Sequence, residues 1–256
     1  MTVASLSGLL LLAGLAAYMQ TLTGFALGLV MMGGIGLSGL MPLPEAAVLV
    51  SVLTLVNASQ VLRKGWRDVA WPEFRIIIVA SLIALFFGYW LLDLLAQASL
   101  DWLKLTLGTV IVVSSFQLAM RRELLSVKSS RSSFAFFGAI AGLMGGLFST
   151  SGPPLVYHLY RQPLALVTIR ETLVAVFAVN ALVRLGIVGA TGDLPDAGFW
   201  WVLLAVPAVA AATFAARRWP PPLSSLAMRR IAFALLLLSG LSLSLPAAVG
   251  IIAGFS

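Results

Sequence analysis

Two short stretches concentrate the groups that could bind an anion. "QTLTG" (residues 20–24) brings together Gln20, Thr21, Thr23 and Gly24. "FSTSGPP" (148–154) places Ser149, Thr150, Ser151 and Gly152 ahead of two prolines. Hydroxyls, a carboxamide and backbone N–H groups beside glycine can donate to an oxyanion without a fully buried cation. Both stretches interrupt apolar runs, and Gly152, Pro153 and Pro154 do not continue a helix comfortably. A helix that restarts after such an interruption presents unpaired N–H groups and the positive end of its dipole. Glycine and serine also let helices pack closely, as the Gly24–Gly28 spacing would, so the residue types alone leave both roles open.

The remaining polar residues in apolar surroundings are few. Asn57 and Asn180 could contact substrate or bond between helices. Arg170, Glu171 and Arg184 fall within one apolar run, where ionisable groups are costly and face a partner or an aqueous cavity. Arg170 could attract an approaching anion, form an ion pair, or snorkel to the surface. Arg170 and Glu171 are neighbours, pointing about 100° apart on a helix, and need not pair with each other. Arg184 shares a helical face with Asn180. His158, the only histidine, could carry a proton or simply pack. His158, Glu171 and Arg184 are thus candidates for gating or coupling. With no cysteine, no metal-ligand spacing, no catalytic triad and no phosphate loop in the sequence, neither a cofactor nor a catalytic role is expected.

These residues need elements to position them. Of 256 residues, 61% are hydrophobic and only 10% charged, against about a quarter charged in a soluble domain. The chain therefore reads as an all-α polytopic membrane protein in the lipid bilayer. Apolar segments run 3–20, 24–41, 45–62, 74–96, 100–120, 134–147, 152–160, 164–190, 197–217 and 228–250. Most can cross a hydrocarbon core of about 30 Å, but 134–147 and 152–160 are too short to cross as straight helices. The N-terminal stretch has no Lys or Arg ahead of its apolar run, so it reads as part of the mature fold. Trp66, Trp71, Trp200, Trp201 and Trp219 fit an interfacial belt, and Asp93 and Lys104 an interfacial pair.

The net charge of +7 does not point to nucleic acid, because the basic residues lie in short loops that orient membrane helices. Loops 63–75, 121–131 and 217–230 are basic; the connections near 41–45, 97–101 and 191–196 hold acids and no Lys or Arg. The positive-inside rule places the first group in the cytoplasm and the second outside, with both termini outside a cell inner membrane. Parity then requires 134–160 to enter and return on the cytoplasmic side, turning at "STSGPP". The stretch 3–41 does the same from outside, turning near "QTLTG". This predicts two inverted-topology halves, 1–125 and 126–256, each a broken-helix hairpin plus three transmembrane helices. Asn57 and Asn180 fall at similar places in the two halves, each followed by an arginine, Arg63 or Arg184.

"TGFALGLVMM…MPLPEAA" in the first half and "GLMGGLFSTSGPPLVYHLY" in the second resemble the sulfite exporter TauE/SafE family over nearly the whole chain. That family carries a glycine-rich element in each half; here Ala26 and Leu27, and the serines of "STSGPP", stand where glycines are common. The resemblance implies a secondary transporter exporting a small organosulfur anion, a sulfonate or sulfite. The anion would bind near the midplane between the two breaks. An anion channel, or a proton-coupled importer of organosulfur or carboxylate anions, is the alternative. Two copies could pair as a homodimer.

Overall fold

The computed structural model describes residues 3–98, 100–119, 125–150, 153–195, 197–219, 234, 237, 240–241 and 243–252. The described residues are helical apart from their connections: α1 (Val3–Thr23), α2 (Leu27–Ser38), α3 (Leu43–Gly65), α4 (Trp71–Ala98), α5 (Leu100–Ala119), α6 (Arg131–Phe148), α7 (Pro153–Tyr160), α8 (Leu166–Thr191), α9 (Ala205–Arg218) and α10 (Leu243–Ile252). A 3₁₀ turn, Trp66–Asp68, follows α3, and a 3₁₀ segment, Ala197–Leu204, leads into α9. Pro207 is accommodated in the first turn of α9, where an N–H is not required. Six helices are long and apolar enough to cross a membrane. On α4, Val79, Ile83, Phe86 and Trp90 are exposed, as expected for side chains that face lipid. The protein is a multi-pass membrane protein. Of the expected last span, 228–250, the described residues are 234, 237, 240–241 and 243–250.

One expected length is corrected. Residues 134–147 were too short to cross, yet α6 has 18 residues and is long enough to span. Its first turn is polar. Ser130 caps it by accepting from the Ser133 N–H at 3.3 Å, so Arg131, Ser132 and Ser133 join the helix rather than the loop. An apolar count cannot see such a turn.

Both interruptions are hairpins. α1 ends at Thr23, the chain bends through Gly24, Phe25 and Ala26, and α2 starts at Leu27. α6 ends at Phe148 and α7 starts at Pro153. The open ends of the second hairpin lie side by side. The Leu125 N–H donates to the Arg161 carbonyl at 2.8 Å. The Ser129 N–H donates to Gln162 Oε1 at 3.0 Å, and Gln162 Nε2 donates back to Ser129 Oγ at 3.0 Å. The segment that entered with α6 therefore returns to the level at which it began. In the first hairpin, Gly34 of α2 packs tightly on Leu12 of α1.

The bends carry backbone conformations unusual for their residues. Among the described residues, the non-glycine positions with positive φ are Ala26 (121°) and Ser149 (54°), one at each break. An L-residue in this region costs roughly 1–2 kcal/mol. Ser149→Gly is therefore expected to fold as stably as the parent or slightly better, whereas Ser149→Val, β-branched, should lower the melting temperature measurably. Thermal unfolding of the purified variants in detergent checks the order.

Helix pairing follows a crossed pattern. α1 packs on α9, α4 packs on α6, and α3 and α8 pack on each other at the centre, with α9 also against α3 and α4 also against α8. The α4–α6 contact is the most extensive among the described helices α1–α9. Gly138, Gly142 and Gly146, one turn apart on α6, lie against the backbone of α4 at Ile77, Ser81 and Leu85. A stripe of small residues lets two backbones meet without side chains between them, which is how van der Waals packing holds helices together in lipid.

Candidate functional site

The two breaks meet. Gly28, in the first turn of α2, lies so close to the second break that a Cβ there would sit 3.0 Å from the Ser149 carbonyl oxygen and from Thr150 Cβ. The Tyr160 hydroxyl donates to the Thr23 carbonyl at 2.6 Å, tying the second hairpin to the first. Between them is a cavity of about 20 Å³ walled by Gln20, Phe25, Ala26, Gly28, Leu29, Thr54, Ser149, Thr150 and Phe177. That is room for about one water molecule.

Its polar wall is held by a buried network. Gln20 Oε1 accepts from the Leu27 N–H at 3.0 Å, bridging the first break, and Gln20 Nε2 donates to Asn57 Oδ1 at 3.2 Å. Asn57, fully buried, donates from Nδ2 to Thr21 Oγ1 at 2.8 Å and to Thr213 Oγ1 of α9 at 2.9 Å. One amide thus fastens α1, α3 and α9 together. Ser149 Oγ lies 2.7 Å from Ser51 Oγ of α3. Thr150 Oγ1 is buried without a hydrogen-bond partner among the described residues. An unmet hydroxyl in such a place costs about 1–3 kcal/mol and would be satisfied by a ligand.

Two larger cavities flank this one. The first, about 310 Å³, is lined by Thr21, Leu22, Val61, Arg170, Glu171, Ala216 and Arg217, at the basic-loop end. The second, about 350 Å³, is lined by residues that include Glu45, Val48, Tyr89, Asp93, Arg184 and Asp193, at the acidic-loop end. Thr54 lies about midway along α3 between Val48 and Val61, and Phe177 about midway along α8 between Glu171 and Arg184. At 1.5 Å per residue each vestibule is roughly 10 Å from the central cavity.

The structure brings Gln20, Ser149 and Thr150 to the central cavity. Thr21 and Asn57 stand behind it in the network. Thr23 is engaged by its own break, bonding the Met19 carbonyl at 2.7 Å. Gly24, with φ of 79°, packs its bare Cα side on Arg170, where a Cβ would come 2.9 Å from Cγ. Ser151 and Gly152 lie outside the described residues. Asn180 lines none of these three cavities; it exchanges hydrogen bonds with Ser81 of α4 at 2.8 and 3.1 Å.

One expectation about charge is corrected, that of an Asp93–Lys104 pair, and two that were open are decided. Arg170 and Glu171 do pair: Arg170 Nη2 is 3.0 Å from Glu171 Oε1. The long arginine stem bends across the angle between adjacent positions. Asp93 is met by Gln97 Nε2 at 2.8 Å, one turn along its own helix, rather than by Lys104. Arg63 is exposed while Arg184 is buried, so the two arginines stand in unlike surroundings. Glu171 is also buried, with Oε2 lacking a partner.

His158 lines none of these cavities. Its ring stacks on Phe137 (4.3 Å between centroids) and meets Phe134 edge-on (4.9 Å), and Nε2 has no partner. His158→Leu removes a buried polar atom and keeps apolar contact, so near-normal stability and an unchanged pH dependence of transport are expected. A flattened pH profile in that variant would restore a proton role.

Sequence reading missed Ser51, Thr54, Phe177, Tyr89 and Tyr160. Ser51 and Thr54 left a faint signal as two hydroxyl residues three apart in the apolar run of α3; the others look like ordinary apolar helix. Tyr89 reaches past the end of α8 and donates to Asp193 Oδ2 at 2.9 Å. Hydrogen bonds from Thr191 and Tyr89 hold the Asp193 carboxyl below its ordinary range. The contact to ionised Asp193 therefore persists at neutral pH and is lost only as pH falls through that lowered value.

The model of the sulfite exporter TauE/SafE family matches residues 9–243. A curated relative, the "Probable sulfite/organosulfonate exporter TauE" of Cupriavidus necator, is 37% identical over 242 residues, covering 94% of each chain. No solved structure matches. A family match spanning both hairpins, together with this relative, establishes that the chain belongs to the sulfite exporter TauE/SafE family.

Proposed function

We propose that this protein is a secondary transporter, not an enzyme, that exports a small sulfur-containing anion, sulfite or an organosulfonate, by alternating access. The observation that carries the reading is the meeting of both helix breaks at one small cavity, apolar on one side and walled by Gln20, Thr54, Ser149 and Thr150 on the other, midway between vestibules at opposite ends of α3 and α8. Broken helices that converge near the bilayer midplane are the usual construction of a transporter site. The substrate class rests on the relative, whose name is that of a sulfite/organosulfonate exporter. Gln20, Ser149 and Thr150 would contact the anion, with Ser151 and Gly152 completing the second tip. A cavity for one water is too small for a sulfonate, so this conformation is a closed one that must open toward one vestibule or the other.

The crossed pairing supports two inverted halves, 1–125 and 126–256. Exchanging the halves turns α1–α9 into α6–α4 and α3–α9 into α8–α4. The buried asparagines follow the same exchange: Asn57 bonds α9 and Asn180 bonds α4. The basic loops face the cytoplasm of the inner membrane, so the Arg170–Arg217 vestibule is the entry and the acidic one the exit. An inside-negative potential favours exit of a monoanion by about 2.3 kcal/mol per 100 mV, so export needs no coupled ion.

Purified protein in liposomes loaded with labelled sulfite or methanesulfonate tests this. Efflux should saturate, rise with unlabelled anion on the far side, and accelerate when the interior is made negative. Flux that rises linearly with concentration and ignores the far-side anion would make the protein a channel instead.

A further inference from the structure

An anion leaving the central cavity toward the acidic-loop end meets one buried cation. Arg184 is 1% exposed and forms part of the wall of the acidic-end cavity. Its Nε donates to the carbonyl of Gly146 at 3.3 Å, in the last turn before the second break. Its guanidinium carbon lies 5.6 Å from the centroid of the Tyr89 ring. Nη1 is buried with no hydrogen-bond partner, and no salt bridge reaches Arg184 among the described residues. A guanidinium offers five N–H donors in a planar fork that matches an oxyanion, and a buried donor left unmet is unfavourable. Beyond Arg184 the cavity wall carries Glu45, Asp93 and Asp193. Tyr89, whose ring covers the guanidinium, is anchored to that rim through Asp193.

We propose that Arg184 is an exit-side station for the transported oxyanion, and that Glu45, Asp93 and Asp193 make it a low-affinity release site that rejects anions from outside. This rests on the export reading above. Arg184 lies about 10 Å along α8 from Phe177 in the central cavity, a short transfer for a small anion. The unmet Nη1 donor gives that anion a partner once it leaves the hydroxyls of the breaks. The three carboxylates then oppose its stay and oppose an incoming anion, so the charge along the path runs from Arg217 and the paired Arg170–Glu171 at the basic end to acids at the other. A site on a conduction path must bind well enough to accept the ion and weakly enough to release it. Repulsion among rim charges also weakens with salt.

The test uses the full chain in liposomes of one orientation, with labelled methanesulfonate and sulfite as probes. Half-saturating concentrations are measured separately from each face. The triple variant Glu45→Gln/Asp93→Asn/Asp193→Asn should lower the acidic-face value about tenfold for both probes, less so at high salt, and leave the basic-face value unchanged. Arg184→Gln should raise the acidic-face value at least tenfold, and Arg184→Lys should recover part of it. An Arg184→Gln effect equal from both faces would mean a structural role and overturn the inference. So would an unchanged acidic-face value in the triple variant, which decides the matter alone should Arg184→Gln fail to fold. Wild-type protein that moves neither probe defeats the export reading and this inference with it; wild-type transport with unaltered variants defeats this inference alone.

Discussion

Gly142→Leu yields no stably folded protein, the largest effect expected of any single substitution here. An added Cβ at Gly142 would sit 2.7 Å from the Cα of Ser81 and 2.6 Å from its carbonyl carbon. These are backbone atoms of α4, so no side chain can turn aside. Gly138 and Gly146 meet α4 in the same way, so the helix cannot pivot about one end to make room. Overpacking of a well-filled core costs about 1–3 kcal/mol even where side chains can adjust. Here two helices must separate along their most extensive contact, and the loss is about 3 kcal/mol or more. The second break is carried on the end of α6, so Gly142→Ala, the milder change, should lower both thermal stability and transport. Recovery of monodisperse protein after graded heating measures the first. Parent-like melting of Gly142→Leu would show that α4 and α6 do not pack as described.

Gln20→Leu folds but loses transport by roughly ten- to a hundredfold, about 1.4–2.7 kcal/mol. Gln20 is 2% exposed and holds both the Leu27 N–H across the first break and the Asn57 amide. Leucine fills similar volume, so the fold survives, but it withdraws an acceptor from a buried N–H and a polar group from the cavity wall. Each unmet buried group costs about 1–3 kcal/mol. Gln20→Glu separates positioning from charge. A carboxylate can still accept from Leu27, yet it places a negative charge beside the anion's path and cannot donate to Asn57 Oδ1. It should therefore be at least as defective as Gln20→Leu, with weaker binding of methanesulfonate as the direct readout. Transport by Gln20→Glu equal to the parent would exclude an anion from this cavity.

Both predictions depend on features that differ in how far the sequence shows them. The breaks were legible, because "QTLTG" and "STSGPP" contain residues that end helices in runs that otherwise have no reason to end. The parity of basic loops led to the expectation that the second segment turns back, and Ser129 and Gln162 lie together at the open ends of that hairpin; the side of the membrane on which they lie belongs to the proposal. The true length of α6 was not, since its first turn is polar and capped by Ser130. Nor was the pairing of Arg170 with Glu171, because neighbouring positions diverge on a helix and only side-chain conformation brings them together.

By itself the sequence determined that this chain spans a membrane as helices, that two of its segments are broken, and which polar residues stand at the breaks. Those properties follow from hydropathy, local backbone preference and loop charge, which act over a few residues or across the bilayer as a whole. Only the tertiary structure decided which polar residues share a cavity and which merely bond helices together. That choice sets Ser149 beside Ser51, gives Asn57 to Gln20 and Thr213, sends His158 between two phenylalanines, and leaves Arg184 with an unmet donor. It depends on how closely helices far apart in the chain approach, and glycine contacts such as those of α6 on α4 fix that distance without any polar pattern to reveal it.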